Sequence, residues 1–450
     1  MSIYIPTLLE DGSKSIVKPD PEKHFPDAKQ NLNMNTIKTW LSRSAPKTEF
    51  LIIPVVVGYP VLLLALTGIA GLDIVDAWEL LGVPAMPVPF ADLLNVATGI
   101  DCLEEGRDPF HDGSCDPFNR VFLYPKLWVQ LKLLGFSTKT LPYFAIVISV
   151  AFFVAAFSVL RPENRAQFIV YFACLASPPV WLAVERGNTD LLIFPILVLA
   201  MIVGNLNFDW RRYGAALISV FAVSLKVYPI FLFPLYLESK RRSIGPLLFF
   251  LILSGLVIGI GWEQIENGIA YDTAKISYAF GSAVVFNRAA DIFGFPGIFK
   301  ALHFIAIGLG ASAIVAALYK YRTILKATSW RIRAGLNGDM FLCGSSIYTG
   351  LFLTTTAFDY KLIFLLLLFP QLFIWINDAE NRPVRVISKA LILMIVALYW
   401  SCSTIFFDSR LIKGAVFLIN EALSWGIAVG VAFLVSLVLL DRLAHLVVKH

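Results

Sequence analysis

The sequence predicts an all-α, polytopic membrane protein. Hydrophobic residues make up 58% of its 450 positions, and mean hydropathy is +0.73. Only 15% of the residues are charged, whereas soluble domains run nearer a quarter. Apolar runs of membrane length recur along the chain, each closed by polar or basic residues. Ten spans are expected, at about 50–72, 141–160, 168–184, 190–206, 244–262, 299–319, 339–357, 362–376, 390–407 and 416–440.

Charge sets the orientation. With the N-terminus in the cytoplasm, 24 of the 37 Lys and Arg fall in cytoplasmic segments and 11 outside, as the positive-inside rule requires. The net charge of +5 reflects this bias and is no signal for nucleic acid. Residues 1–48 read as a cytoplasmic tail without the apolar core of a secretory signal. A short helix is expected around Asn33–Arg43. The run Tyr213–Leu237 is apolar, yet Arg211-Arg212 precede it and Lys240-Arg241-Arg242 follow it. A single crossing would place one basic cluster outside. Two short helices meeting at Lys226-Val227-Tyr228-Pro229 satisfy both ends, since Pro229 cannot continue the first helix. The first arm rises only ~20 Å, so the pair is read as a re-entrant hairpin. The organisation expected is a tail at 1–48, a membrane module at 49–297 and C-terminal transmembrane helices at 298–450. The module carries an external loop at 73–140, the hairpin at 213–237 and a second external loop at 263–297.

The longest polar interval, Asp92 to Trp128, lies in the first loop. Leu93, Val96, Ala97, Ile100 and Leu103 recur at helical spacing. Asp92 stands where an N-cap belongs, and Gly106 stands just past the last turn. Asp-Pro-Phe turns follow at Asp108 and Asp116, and the segment from Tyr124 to Phe136 suits an interfacial helix. Cys102 and Cys115 share this oxidising side and are expected to form a disulfide. Cys174, Cys343 and Cys402 fall in spans and read as small buried apolar residues.

Several chemistries lack their residues. There is no Asp-x-Asp, no Gly-rich phosphate loop and no Gly-x-Ser-x-Gly, and the five His are scattered. No metal or other cofactor is expected. What remains is an acid on the outer side with cations around it, a set that can take a proton from a hydroxyl and hold an anion such as a phosphate. Asp92 is the candidate base and Asp101 its rival, ~13.5 Å further along the helix. Asp92 also fits a plain N-cap on the amides of Leu94 and Asn95. Arg186, Lys226, Arg288 and Lys361 are candidate phosphate or sugar contacts, with Tyr124, Asn188, Asn287 and Asp359 orienting. Structural roles compete for several of them. Arg186 and Asp190 are spaced for an i,i+4 pair, Asn287-Arg288 for a plain loop, and Asp359-Tyr360-Lys361 for a hairpin cap. Asp339 suits a helix start, and Asp408-Ser409-Arg410 a structural turn. Lys226 has no carboxylate between Asp209 and Glu238. It is therefore expected either to meet a lipid phosphate or to snorkel to water.

Four motifs occur in a telling order. An Asp opening a short helix is followed by Gly106-Arg107-Asp108-Pro109-Phe110 and then by Phe122-Leu123-Tyr124-Pro125. Arg186-Gly187-Asn188 and Lys226-Val227-Tyr228-Pro229 come next. Over roughly residues 50 to 300 the chain resembles the GT-C class of polyprenyl-phosphate-sugar-dependent glycosyltransferases. The pattern is nearest to glycosyltransferase family 87, the mannosyltransferase-like group. It departs in having Lys126 for a second Pro and Asn188 for Gln. The resemblance implies a GT-C membrane fold with a large first external loop and a catalytic aspartate at Asp92. It also implies transfer, with inversion, of mannose or a similar hexose from a polyprenyl-phosphate carrier. The acceptor would be a lipid or glycan at the outer face of the plasma (inner) membrane. The alternative is a lipid-linked sugar transporter or flippase without chemistry. The broken hairpin at Lys226 favours it, and the lack of an internal repeat does not. A scaffold subunit would need neither Asp92 nor Lys226.

Overall fold

The computed structural model describes residues 53–207, 210–237, 244–262, 279–320, 335–354, 356–377, 382–403 and 410–447. The expected tail, the helix around Asn33–Arg43, the basic cluster at 240–242 and the Asp408-Ser409 turn lie outside them. So does the first part, 263–278, of the expected second external loop.

A π-helical turn, Ile53–Gly58, leads into α1 (Tyr59–Gly68). The first loop then holds α2 (Ile74–Leu80) and α3 (Ala91–Glu104). Next come α4 (Leu141–Val159), α5 (Arg165–Leu175), α6 (Pro178–Glu185), α7 (Asp190–Gly204) and α8 (Arg211–Leu225). The chain continues through α9 (Gly245–Ile260), β1 (Ala279–Phe280), α10 (Val284–Phe293) and α11 (Pro296–Lys320). It ends with α12 (Leu336–Thr354), β2 (Ala357–Phe358), α13 (Phe369–Asn377), α14 (Arg382–Ser401) and α15 (Arg410–Val447). The two short strands pair antiparallel, Ala279 with Phe358 and Phe280 with Ala357. Among the described residues the fold is all-α apart from this clasp.

Among the described residues every expected span overlaps helix, but not every helix is long enough to cross. Among the described residues five segments are: Leu141–Val159, Pro296–Lys320, Asp359–Asn377, Arg382–Ser401 and Gly414–Leu440. A sixth forms if α5 and α6, bent by 41° at their junction, count as one. Pro178 and Pro179 open α6, which accounts for the bend. Helices α7 and α9 are apolar but shorter, rising about 22 and 24 Å against a core of ~30 Å. Helix α12 is instead a central strut, buried along most of its length. It packs on the segment Leu362–Leu368, each residue of which is 0% exposed. Gly344 makes this approach feasible, since a Cβ there would lie 2.5 Å from the Phe364 carbonyl oxygen. Asp339 does not serve as a plain helix start. It accepts from Arg212 Nη1 and Asn205 Nδ2, both at 2.8 Å, and so ties α12 to α8 and to the end of α7. At the other extreme, α11 has no buried residue.

The hairpin expected at 213–237 is present as a fold-back. Helix α8 stops at Lys226, whose backbone is extended, and a 3₁₀ helix runs from Tyr228 to Tyr236. The Tyr236 hydroxyl reaches back to the Ala215 carbonyl and to Ser219 Oγ, so the two arms lie side by side. Two further long 3₁₀ runs occur among the described residues, Lys126–Leu134 and Asp359–Leu368. Such runs rarely exceed 3–4 residues, and here they run to nine or ten. The first takes the place of the expected interfacial α-helix. Trp128 Nε1 donates to the Leu225 carbonyl at 2.9 Å, joining the first run to the end of α8.

The first loop is closed by the Cys102–Cys115 disulfide, with Cα atoms 6.0 Å apart. It joins the last turns of α3 to a 3₁₀ turn at Gly113–Cys115. Closing a loop of ~15 residues contributes about 3 kcal/mol in the chain-entropy model. Non-reducing alkylation followed by mass spectrometry is expected to find both thiols blocked. Cys102→Ser is expected to lower stability by about that amount. The other three cysteines are free and buried, as expected.

Candidate active site

The start of α3 is placed by the turn that follows α6. Phe90, the residue before α3, has φ +57°, a left-handed conformation costly for a bulky side chain. Its amide donates to the Glu185 carbonyl at 2.9 Å, and the amide of Asp92 donates to the Arg186 carbonyl at 3.0 Å. Gly187 allows this docking. Its φ is +55°, and a Cβ would lie 3.0 Å from Phe90 Cβ and 3.2 Å from Leu93 Cβ. Gly187→Ala is expected to cost ~1–2 kcal/mol from the left-handed backbone alone, and more from the contact. A lowered melting temperature checks this.

Asp92 is the second residue of α3 and not its N-cap, which is Phe90. The Leu94 amide is already taken by the Phe90 carbonyl at 2.8 Å. The carboxylate turns instead to a second segment: Oδ2 accepts from Asn188 Nδ2 at 2.5 Å. Its Oδ1 faces Arg120 Nη1 at 3.6 Å, and the side chain keeps 15% of its exposure. Asp101, the rival, is occupied elsewhere. Its Oδ2 accepts from the Thr138 hydroxyl at 2.6 Å and the Thr138 amide at 3.2 Å, tying α3 to the entrance of α4.

Arg120 is held on three sides. Asp116 takes Nε at 3.1 Å and Nη2 at 2.9 Å, while Nη2 also donates to the Ala91 carbonyl at 2.6 Å. Asn95 Nδ2 donates to Asp116 Oδ2 at 3.0 Å. Burial pushes the Asp116 carboxyl up, but the bonds from Arg120, Asn95 and the Phe118 amide, with the Arg120 charge, outweigh it. Its pKa is therefore below the ordinary aspartate value. A depressed folded-state pKa contributes stability that is complete above the unfolded value, ~3.9. That stability is lost as pH falls through the folded value. The start of α3 is therefore expected to keep its amide-exchange protection down to about pH 4 and to lose it only below.

Asn188, 1% exposed, is the hub. Its Oδ1 accepts from the Asp190 amide at 2.8 Å and from Lys226 Nζ at 3.3 Å. Lys226 Nζ donates to Asp190 Oδ1 at 2.6 Å, and the Tyr228 hydroxyl donates to the same oxygen at 2.7 Å. Tyr124 lies beneath Lys226, with Nζ 6.0 Å from its ring centre, and Lys361 Nζ is 5.6 Å from the ring of Tyr228. Tyr124 and Tyr360 both lie within electrostatic reach of Asp92 and Asp190. Lys361 lies within reach of Asp190, Lys226 and Asp92. Burial, then the Asp92 charge, pushes the Tyr124 phenol well above its ordinary range, so it remains a donor. The three long 3₁₀ runs among the described residues begin at this cluster, directly after Tyr124-Pro125, after Lys226-Val227, and at Asp359-Tyr360-Lys361.

Five of the nine residues singled out from the sequence thus meet: Asp92, Tyr124, Asn188, Lys226 and Lys361. Arg186 contributes its carbonyl. Its guanidinium lies 3.0 Å from Glu185 Oε2 and 3.3 Å from the Pro84 carbonyl. The i,i+4 pair with Asp190 does not form, because the left-handed turn at Gly187 breaks the helix between them. Asn287, Arg288 and Asp359 make their contacts elsewhere. Asn287 is exposed on α10, Arg288 stacks over Phe417 at 5.3 Å, and the Asp359 carboxylate engages Cys402. The expectation that Lys226 lacks a carboxylate is also corrected: Asp190 comes to it from the start of α7. Sequence reasoning missed Arg120, Asp190, Tyr228 and Tyr360 as members of the site. Each sits within four residues of a motif already noted, which was the available signal.

The cluster brings one partly open carboxylate together with three cations, each cation held by fixed partners or stacked on a ring. It can accept a proton at Asp92 and hold an anion beside it. No family model matches the chain, and no curated protein sequence matches it.

Proposed function

We propose that the chain is a membrane glycosyltransferase that moves a hexose, mannose or similar, from a polyprenyl-phosphate carrier to a lipid or glycan acceptor at the outer membrane face. The observation that carries this reading is the environment of Asp92. One of its oxygens is fixed by Asn188, the other is directed toward Arg120, and Lys226 and Lys361 stand close by. In the reaction, the acceptor oxygen forms a bond to the anomeric carbon as the bond from that carbon to the phosphate oxygen breaks. The phosphate leaves with the electron pair, and Asp92 takes the hydroxyl proton. Arg120, Lys226 and Lys361 offset the charge gathering on the phosphate. Tyr124 and Asn188 supply neutral donors to orient the sugar. The resemblance to glycosyltransferase family 87 in four ordered motifs supports the same reading.

The test is incubation of the purified protein with radiolabelled polyprenyl-phosphate sugars and a membrane-lipid acceptor extract. Label is expected to leave the carrier and appear in a new product. Movement of intact carrier lipid across a liposome membrane, with no label released, would support the transporter reading instead.

A further inference from the structure

We propose that Asp359 and Glu421 form a binding site for a hard, oxygen-seeking cation, next to a cavity separate from the Asp92 cluster. This does not depend on the glycosyl-transfer reading. Asp359 follows β2 and Glu421 lies on α15, and they are only 2% and 4% exposed. Neither carries an ion pair with any Lys, Arg or His among the described residues. Both carboxylate oxygens of Glu421 and Oδ1 of Asp359 have no hydrogen-bond partner in the protein. The same holds for the hydroxyl of Ser424, which is 0% exposed, and for Asn420 Oδ1. The two carboxylates lie within electrostatic reach of each other and of the Tyr348 hydroxyl, which donates to the Ser424 carbonyl at 3.0 Å.

A pair of buried carboxylates without counter-charge is strongly disfavoured in a low-dielectric interior. A proton alone cancels charge but leaves a defect, because the second Glu421 oxygen, Asn420 Oδ1 and the Ser424 hydroxyl still have no hydrogen-bond partner in the protein. A cation resolves both. One such ion gathers several oxygens around it, each at roughly 2.3–2.6 Å. The free ligand atoms are all oxygens, which suits Na⁺ or Ca²⁺ and not a thiophilic metal. The thiol of Cys402 is already within reach of Asp359 and the Leu398 carbonyl.

The site also has an approach. A cavity of about 530 Å³ is lined by Ser401, Cys402, Asn420 and Arg288, among apolar side chains. Asn420 adjoins Glu421 in sequence and its Nδ2 lies 3.3 Å from Ser401 Oγ and 3.4 Å from Cys402 Sγ, so the polar wall of the cavity leads to the acidic pair. Arg288 is the cation on that wall. It is drawn to the ring of Phe417 and pairs with neither acid.

The experiment is thermal unfolding of the detergent-purified full chain in NaCl, KCl, CaCl₂ or choline chloride at matched ionic strength, with equilibrium binding of ²²Na⁺ and ⁴⁵Ca²⁺. One of Na⁺ and Ca²⁺ is expected to raise the melting temperature saturably over choline and to bind near one per chain. The isotope that binds identifies which. Glu421→Gln and Asp359→Asn are expected to weaken binding about tenfold or more and to flatten the cation dependence. If either variant fails to fold, the wild-type titration still decides. Equal melting temperatures in all four salts with no isotope bound would overturn the proposal, leaving protonation as the means of neutralising the pair.

Discussion

Asp92→Asn is expected to lower sugar transfer by ~10²-fold or more while leaving the fold in place. The amide keeps an oxygen that can accept from Asn188 Nδ2, and Arg120 stays fixed by Asp116 and the Ala91 carbonyl. The helix start does not depend on the Asp92 side chain, because Phe90 occupies the cap position and its carbonyl serves the Leu94 amide. What the substitution removes is the capacity to take a proton. Asp101→Asn is the control, since the Asn oxygen can still accept from Thr138 and activity should stay near the parent level. The measurement is single-turnover release of label from the carrier, with melting temperatures for both variants. Near-parental turnover in Asp92→Asn would reject Asp92 as the base. The idea that Asp92 acts as a simple cap does not survive the geometry, so retained activity could not be ascribed to Asn capping equally well.

The all-α, span-rich architecture was legible because hydropathy is a property of whole segments. Even the reversal at Lys226 could be read, since two basic clusters flanking one apolar run admit no single crossing. The Cys102–Cys115 bridge was legible for a similar reason, as the two thiols on one polar loop had no other partners there. Lengths were less legible. Pro178-Pro179 and the long 3₁₀ runs shorten or bend segments whose composition alone reads as a span, and 3₁₀ geometry over nine residues leaves no mark in hydrophobic periodicity. At the site, the motifs located Asp92, Asn188, Lys226 and Lys361, but not their pairings. Asp190 lies 36 residues from Lys226 and meets it only because the hairpin folds back against α7. The left-handed Phe90 was invisible, and so Asp92 was read two positions too early in its helix. Asp359 illustrates the opposite error: it neighbours Tyr360 and Lys361 in sequence, yet its carboxylate engages Cys402 and lies within reach of Glu421.

Lys226→Met is expected to destabilise the protein by about 3–5 kcal/mol, the usual result of removing one partner from a buried ion pair. Sequence reasoning pointed the other way, since an ammonium at membrane depth with no nearby carboxylate should be relieved by an apolar replacement. Asp190 reverses that sign. It is 0% exposed, its Oδ1 receives Lys226 at 2.6 Å and Tyr228 at 2.7 Å, and its Oδ2 has no hydrogen-bond partner. Without Lys226 that negative charge is left with a single phenol donor and Lys361 nearby. Removing both charges together, in Lys226→Met with Asp190→Asn, is expected to recover most of the loss. A double-mutant cycle on unfolding in mixed micelles then gives a coupling energy of ~0.5–3 kcal/mol. An unchanged stability in Lys226→Met would show that the pair contributes nothing to the fold. The double variant also isolates the second role of Lys226, because it restores folding without restoring the ammonium. Several-fold weaker binding of polyprenyl-phosphate by that variant is the result expected if Lys226 meets the donor phosphate. Unchanged binding would move the phosphate to Lys361 and Arg120, the other two cations facing Asp92.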